Sequence, residues 1–322
     1  ALRFFAVEPG WLAGVSESLQ YHAGWELHDP WLIGKGTLGH RLDNLRILPV
    51  LQTLLAAGLW YAILVLQSAP RPWRWALPLL PIVAGIISIW PTLWVDAWQE
   101  TALKMTEEAP FPDDLWFWIM GVGLREEGCK LALFALFLPW LLRRRAPGLA
   151  LMTGAFVGLG FALEENLGYY EERGGAVALG RFLTANFFHA ALSGIAAHAL
   201  YDMLRSRFAR ADKFLLTFLA VVVVHGLYDY AIASGIDGMG YLTMAMLAFT
   251  AWHFLDLVAR EGPGARQWVA PAAVLLIGTA LLIASVFWFS AIQVRTKEGL
   301  YAAALECVGV LPVLFIYWRR LN

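Results

Sequence analysis

Residues 115–142 read LWFWIMGVGLREEGCKLALFALFLPWLL, an apolar run long enough to cross a bilayer, with Arg125, Glu126, Glu127 and Lys130 in its middle. A charged side chain at the centre of a membrane costs at least about 2.5–3.5 kcal/mol, so such residues are rare and indicate a functional site. On a helix Glu126 and Lys130 share one face and can form an ion pair. That ion pair would lower the free-energy cost of inserting the helix into the membrane, but it does not account for the charges of Arg125 and Glu127. The stretch therefore predicts a membrane helix with a buried polar site.

The composition of the whole chain is that of a membrane protein. Of its 322 residues 59% are hydrophobic and 15% are charged, whereas soluble domains have about 45–50% apolar and about 25% charged residues. Many of the 16 tryptophans stand at the ends of apolar runs, where indole rings anchor helices at the membrane interface. The net charge of −1 argues against a nucleic-acid partner. Cys129 and Cys307 fall in apolar runs and are predicted to be buried free thiols.

Hydropathy predicts an all-α, polytopic bundle of about nine transmembrane helices. The predicted spans are 47–66, 75–95, 115–142, 149–170, 181–204, 214–233, 240–259, 268–290 and 301–318. Arginine and lysine cluster after the first, third, fifth, seventh and last spans, and acidic residues occupy the loop 96–114. The positive-inside rule then places the N-terminus outside and the C-terminus in the cytoplasm. Residues 1–46 carry no signal-peptide pattern and are predicted to be an extramembrane or interfacial segment, with 47–322 as a single membrane domain.

Three further predicted spans also carry ionisable residues. Glu164 and Glu165 in the fourth point about 100° apart, so one of them is expected to face the bundle interior. The fifth span contains His189, and the sixth contains His225 and Asp229 at i, i+4, a spacing that lets the carboxylate orient the imidazole. Taken singly, each could be an ordinary interhelical hydrogen-bonding group.

A near-repeat connects the fifth and sixth spans, HALYD from His198 to Asp202 and HGLYD from His225 to Asp229. The first copy lies near the predicted cytoplasmic end of its span. We interpret His198 and Asp202 as an ordinary polar pair outside the site.

The remaining ionisable groups lie at overlapping depths. At about 1.5 Å rise per residue, Glu126 lies roughly 17 Å below the outer edge of its span, His189 and His225 roughly 12 Å, and Glu165 and Asp229 roughly 6–8 Å. Independent structural pairs need not share a depth, whereas a convergent site does. The sequence thus predicts one site in the outer half of the bilayer, within a catalytic core of residues 115–233.

The order of these motifs resembles the PrsW family of membrane proteases, which is distantly similar to the CAAX prenyl endopeptidase superfamily. The resemblance covers residues 121–230 and rests on Glu126-Glu127-x-x-Lys130, Gly160-Phe-Ala-Leu-Glu-Glu165-Asn166, His189 and His225-Gly-Leu-Tyr-Asp229. The CAAX relatives carry histidine and asparagine where this chain has Glu165 and Asp229, which argues against a prenylated substrate. The resemblance implies an intramembrane endopeptidase of a bacterial-type inner membrane. Its expected substrate is a single-span membrane protein, for instance an anti-sigma factor, cut near the extracytoplasmic side.

Peptide hydrolysis requires an activated water and a group that stabilises the oxyanion. Glu126 or Glu127 is the predicted base, and Lys130 limits the accumulated negative charge. His189 and His225 are predicted to bind the water, the oxyanion or a metal, and Asp229 is predicted to orient His225.

Metal use is left open by the sequence. The candidate ligands are Glu127, Glu165, His189 and His225, a set that suits Zn²⁺ with an open position. The chain has no His-Glu-x-x-His motif, and a metal-free glutamate mechanism would use the same residues. The alternative function is a proton or ion carrier, which would be expected to distribute such groups across the full membrane thickness.

Overall fold

The computed structural model describes residues 47–67, 76, 78–173, 178–261, 269–289, 291, 297–309 and 311–321, and every regular element in them is helical. The predicted all-α class is therefore confirmed, while the predicted segment 1–46 lies outside the described residues. The α-helices are α1 Ile47–Gln67, α2 Leu79–Ile87, α3 Ile89–Trp98, α4 Asp113–Trp116, α5 Leu124–Ala135, α6 Leu138–Arg144, α7 Pro147–Arg173, α8 Ala178–Leu183, α9 Ala185–Arg205, α10 Ala211–Ala233, α11 Met239–Glu261, α12 Pro271–Phe289, α13 Lys297–Gly309 and α14 Leu311–Leu321. Two π-helical segments, π1 Gln99–Leu103 and π2 Phe117–Gly123, follow α3 and precede α5.

Six helical stretches in the described part of the chain are long and apolar enough to cross a membrane. They are Val50–Gln67, Leu79–Leu103, Pro147–Tyr169, Ala211–Ala233, Met239–Glu261 and Pro271–Trp288. Each overlaps one of the nine spans that hydropathy predicts. The chain is thus a multi-span membrane protein, and the count of nine stays a prediction.

The three other predicted spans correspond to interrupted or more polar helices. Residues 115–142 are divided among α4, π2, α5 and α6, and Pro139 at the start of α6 cannot donate a backbone hydrogen bond to the preceding turn. Residues 301–318 are divided between α13 and α14, with Pro312 near the start of the second helix. The fifth predicted span begins in α8 and continues in α9, which contains Asn186, His189 and His198.

Small residues let the central helices approach until their backbones touch. A Cβ on Gly158 of α7 would lie 2.2 Å from the carbonyl oxygen of His189 in α9. A Cβ on Gly226 of α10 would lie 2.4 Å from the carbonyl oxygen of Trp118 in π2. Glycine at helix–helix contacts is typical of membrane proteins, where close packing and polar contacts drive association. These contacts set the heights of α7, α9 and α10 around α5.

The helices at the two ends of the described chain hold the short helix α8 in place. Trp60 of α1 donates its indole N–H to the carbonyl oxygen of Phe182 at 2.6 Å. Tyr317 of α14 donates its hydroxyl to the carbonyl oxygen of Leu183 at 2.7 Å. The last carbonyls of a helix have no partner inside the helix, so these buried bonds satisfy the C-terminal end of α8.

Candidate metal and catalytic site

Lys130 lies at the centre of a buried polar cluster formed by α5, α7, α9 and α10. Its Nζ donates to Glu127 Oε1 at 2.7 Å and to Glu126 Oε2 at 3.3 Å. The same nitrogen lies 2.9 Å from His189 Nδ1 and 3.9 Å from the centroid of the Phe161 ring. The side chain of Lys130 is fully buried, so its charge depends on these partners in place of water.

His225 lies on α10 between three carboxylates. Its Nε2 is 3.2 Å from Asp229 Oδ2 and 3.6 Å from Glu126 Oε2, and its Nδ1 is 2.8 Å from Glu127 Oε1. The 2.8 Å contact is off the hydrogen-bonding direction, and Nδ1 forms no hydrogen bond with the described residues. A buried ring nitrogen without a hydrogen bond is available to another partner.

His189 on α9 contacts a different carboxylate with its other nitrogen. Its Nε2 lies 3.0 Å from Glu165 Oε2 of α7, and its Nδ1 faces Lys130. Lysine is only a donor, so Nδ1 must accept, and the ring proton must lie on Nε2 beside Glu165. Both contacts require the same tautomer, which leaves the lone pair of Nδ1 directed towards the cluster.

Glu126, His189 and His225 form a group that could hold a metal ion. One ligand atom from each lies within 4.8 Å of the other two, and all three residues are buried. Two imidazoles and one carboxylate are a ligand set of catalytic zinc sites, which keep a further position open. The orphaned Nδ1 of His225 and the cation already present at Lys130 Nζ show that the pocket suits positive charge. The residues therefore fit a divalent metal of the zinc type.

The family model described as PrsW family intramembrane metalloprotease matches residues 71–255, more than half of the chain. The chain belongs to the PrsW family of intramembrane metalloproteases. The resemblance drawn from the four motifs is confirmed, and the protein is a membrane-embedded peptidase. Comparisons with curated proteins and with solved structures found no match.

The group of this PrsW protein that could hold a metal shares His189 and His225 with the ligand set predicted from the sequence, and ligation by Glu127 and Glu165 stays a prediction. The sequence proposed Glu127 and Glu165 beside the two histidines, whereas the group contains Glu126. Lys130 Nζ contacts both Glu126 Oε2 and Glu127 Oε1, and Glu165 lies on the Nε2 side of His189, opposite the nitrogen that faces the cluster. Spacing along a helix could not distinguish these cases, because adjacent glutamates lie at similar depths.

The other predicted site residues lie in or beside the cluster. Lys130 contacts both adjacent glutamates, and Asp229 contacts His225, as their i, i+4 or i, i+3 spacings indicate. His198 lies elsewhere, 3.9 Å from Glu261, and Asp202 pairs with the exposed Arg210 at 2.6–2.7 Å. These contacts agree with the prediction that both residues lie outside the site, whereas the predicted pair between them is replaced by His198 with Glu261 and Asp202 with Arg210. Cys129 carries a free thiol, as predicted, but both cysteines are half-buried where the sequence predicted full burial.

Sequence reasoning assigned no role to three polar residues in or beside the cluster of this PrsW protein. Ser193, one turn after His189, donates to Glu127 Oε2 at 3.3 Å. Asn186, one turn before it, accepts from Asn166 at 2.9 Å. Arg181 of α8 donates to Glu165 Oε2 at 2.7 Å. The i−3 and i+4 spacings around His189 were a usable signal for Asn186 and Ser193, but nothing in the linear sequence connects Arg181 with Glu165.

Proposed function

We propose that this protein hydrolyses a peptide bond of a membrane-anchored substrate with a divalent metal, most simply Zn²⁺, held by Glu126, His189 and His225. The observation that supports this is the approach of the three ligand atoms to within 4.8 Å in a buried site of a metalloprotease family. When bound, such an ion acts as a Lewis acid that activates water and polarises a carbonyl group. The lone pair of His189 Nδ1 can bind only one partner at a time. A metal ion bound to Nδ1 would therefore replace the contact with Lys130.

In this proposal Glu127 is the general base. Its Oε1 is held by the 2.7 Å bond from Lys130, whereas its Oε2 accepts only the longer 3.3 Å bond from Ser193 among the contacts described. Oε2 is therefore the atom assigned to take the proton from the attacking water. Lys130 offsets the charge of the two glutamates, and Asp229 orients His225 through Nε2. The protein walls around the site restrict bulk water, which strengthens these interactions.

The proposed substrate is a single-span membrane protein cut near its extracytoplasmic side, with anti-sigma factors as the first candidates. The proposal rests on the outer-half depth estimated from the sequence and on the family resemblance. The proposed location is a bacterial-type inner membrane.

The test separates metal binding from proton transfer. Purified protein in liposomes is assayed for cleavage of single-span reporters and for bound zinc, with and without chelator. Glu126→Gln and His189→Ala are expected to lose both zinc and cleavage. Glu127→Gln is expected to keep zinc and to lose about 10²–10⁴-fold in cleavage rate.

His198→Ala is the matched control, because His198 lies on the same helix as His189 but contacts Glu261. It should keep both zinc and cleavage. Wild-type cleavage without bound metal, unaffected by chelator, would contradict the metal assignment. Full cleavage by Glu127→Gln would remove Glu127 as the base.

A further inference from the structure

Arg181 contacts three polar or aromatic groups next to the site, although the mechanism above does not use it. Its guanidinium donates from Nη2 to Glu165 Oε2 at 2.7 Å and from Nε to Asn166 Oδ1. The group also lies over the Tyr169 ring, 3.7 Å from the centroid. A planar guanidinium that is both stacked and doubly hydrogen-bonded has little rotational freedom. Arg181 thus holds one face of α7 in a defined position.

The carboxylate that Arg181 holds is the one that contacts His189. Glu165 Oε2 receives the Arg181 bond and lies 3.0 Å from His189 Nε2. A histidine ligand is commonly oriented by a carboxylate on its second nitrogen, which fixes both the tautomer and the ring direction. Only 19% of the Arg181 side chain and 24% of the Glu165 side chain are exposed, so water competes weakly with this pair.

The backbone that carries Arg181 is also fixed. Arg181 precedes Phe182 and Leu183, whose carbonyl oxygens accept the buried bonds from Trp60 and Tyr317. The guanidinium therefore projects from a helix end that is bonded to α1 and α14. Neither Trp60 nor Tyr317 lies in the region 71–255 that the family model matches.

We propose that Arg181 is a positioning residue that fixes Glu165 against His189 Nε2 and so directs the lone pair of His189 Nδ1 into the metal group. The inference rests on the proposed metal function and extends it by one residue beyond the ligands. Arg181 donates to Glu165, which in turn contacts the proposed ligand His189. Its effect passes through Glu165.

The experiment measures the affinity for Co²⁺ and the visible spectrum of the bound ion, in detergent, first for four proteins. These are wild type, Arg181→Met, Glu165→Gln and the double variant. Glu165→Gln is expected to weaken binding about 10–100-fold, and Arg181→Met about tenfold, each with a shifted Co²⁺ band. Arg181 and Glu165 both act on the His189 ring. The Co²⁺ affinity of the double variant should therefore be no lower than that of the single variant that binds Co²⁺ more weakly. Arg181→Lys, which keeps the charge without the second bond to Asn166, should recover part of the affinity.

Arg210→Met is the matched control, because Arg210 also pairs with a carboxylate, Asp202, but at an exposed place away from the site. It should bind Co²⁺ like the wild type. Wild-type affinity and spectrum in Arg181→Met, or losses that add in the double variant, would overturn the positioning role while leaving the metal site intact. A wild-type chain that binds no divalent metal would overturn the metal site, and the role of Arg181 towards it.

Discussion

At the scale of single residues, the main electrostatic feature is one ammonium group shared by two adjacent carboxylates and an imidazole. Lys130 Nζ contacts Glu126, Glu127 and His189 within 3.3 Å, and the Glu127 side chain is fully buried. Removing one partner of a buried ion pair leaves an uncompensated charge, which is far more costly than the net gain from the pair.

Lys130→Met is therefore expected to destabilise the metal-free protein by about 3–5 kcal/mol. Zinc should restore much of the lost stability, because the ion supplies positive charge to the same carboxylates. Thermal unfolding in detergent, with chelator and with zinc, measures both effects. Arg210→Met, at an exposed pair, should change the melting temperature little. An unchanged melting temperature for metal-free Lys130→Met would contradict this account of the cluster.

At the scale of helices, the site depends on the close approach of α7 and α9. Gly158 lies against the backbone of His189, and a Cβ on Gly154 one turn earlier would lie 2.3 Å from Ala197 Cβ. A larger residue at Gly158 cannot be accommodated by a side-chain rotation, because the obstacle is a carbonyl oxygen. The height and tilt of α9, and thus the place of His189, follow from this glycine.

Gly158→Leu is expected to separate α7 from α9, to weaken zinc binding and cleavage by at least about tenfold, and to cost about 1–3 kcal/mol of stability. Zinc affinity, reporter cleavage and thermal unfolding measure the three effects. Gly58→Leu is the control, because a Cβ on Gly58 of α1 meets nothing within 4 Å. That variant should keep wild-type affinity and cleavage. Normal zinc affinity in Gly158→Leu would show that His189 does not depend on this contact.

At the scale of the whole molecule, the predicted orientation places the acidic segment between π1 and α4 outside and the basic segment after α9 in the cytoplasm. On a background with both cysteines replaced by alanine, Glu107→Cys should react with a membrane-impermeant maleimide in right-side-out vesicles. Ala209→Cys should react only in inverted vesicles. Both positions are exposed, so accessibility within the protein does not limit labelling. Labelling of both cysteines from the same side would contradict the predicted topology.

The sequence by itself determined the features that depend on local spacing and composition. The excess of apolar residues identifies a membrane protein, and the four motifs in order identify the family. Contacts within one helix also follow from spacing, because four residues make about one turn: Lys130 meets Glu126, and Asp229 meets His225. The interruption between α5 and α6 was missed, because hydropathy averages over a proline, here Pro139, in an apolar run.

Only the tertiary structure decided which residues meet across helices. It brought Glu126 into one group with His189 and His225, and it placed Arg181 beside Glu165. These pairings depend on the rotation, height and separation of neighbouring helices. The positions of these helices are set by glycine contacts, such as Gly158 against His189, and by the bonds of Trp60 and Tyr317 to α8. Such contacts join residues far apart in the chain, so no spacing along the sequence encodes them.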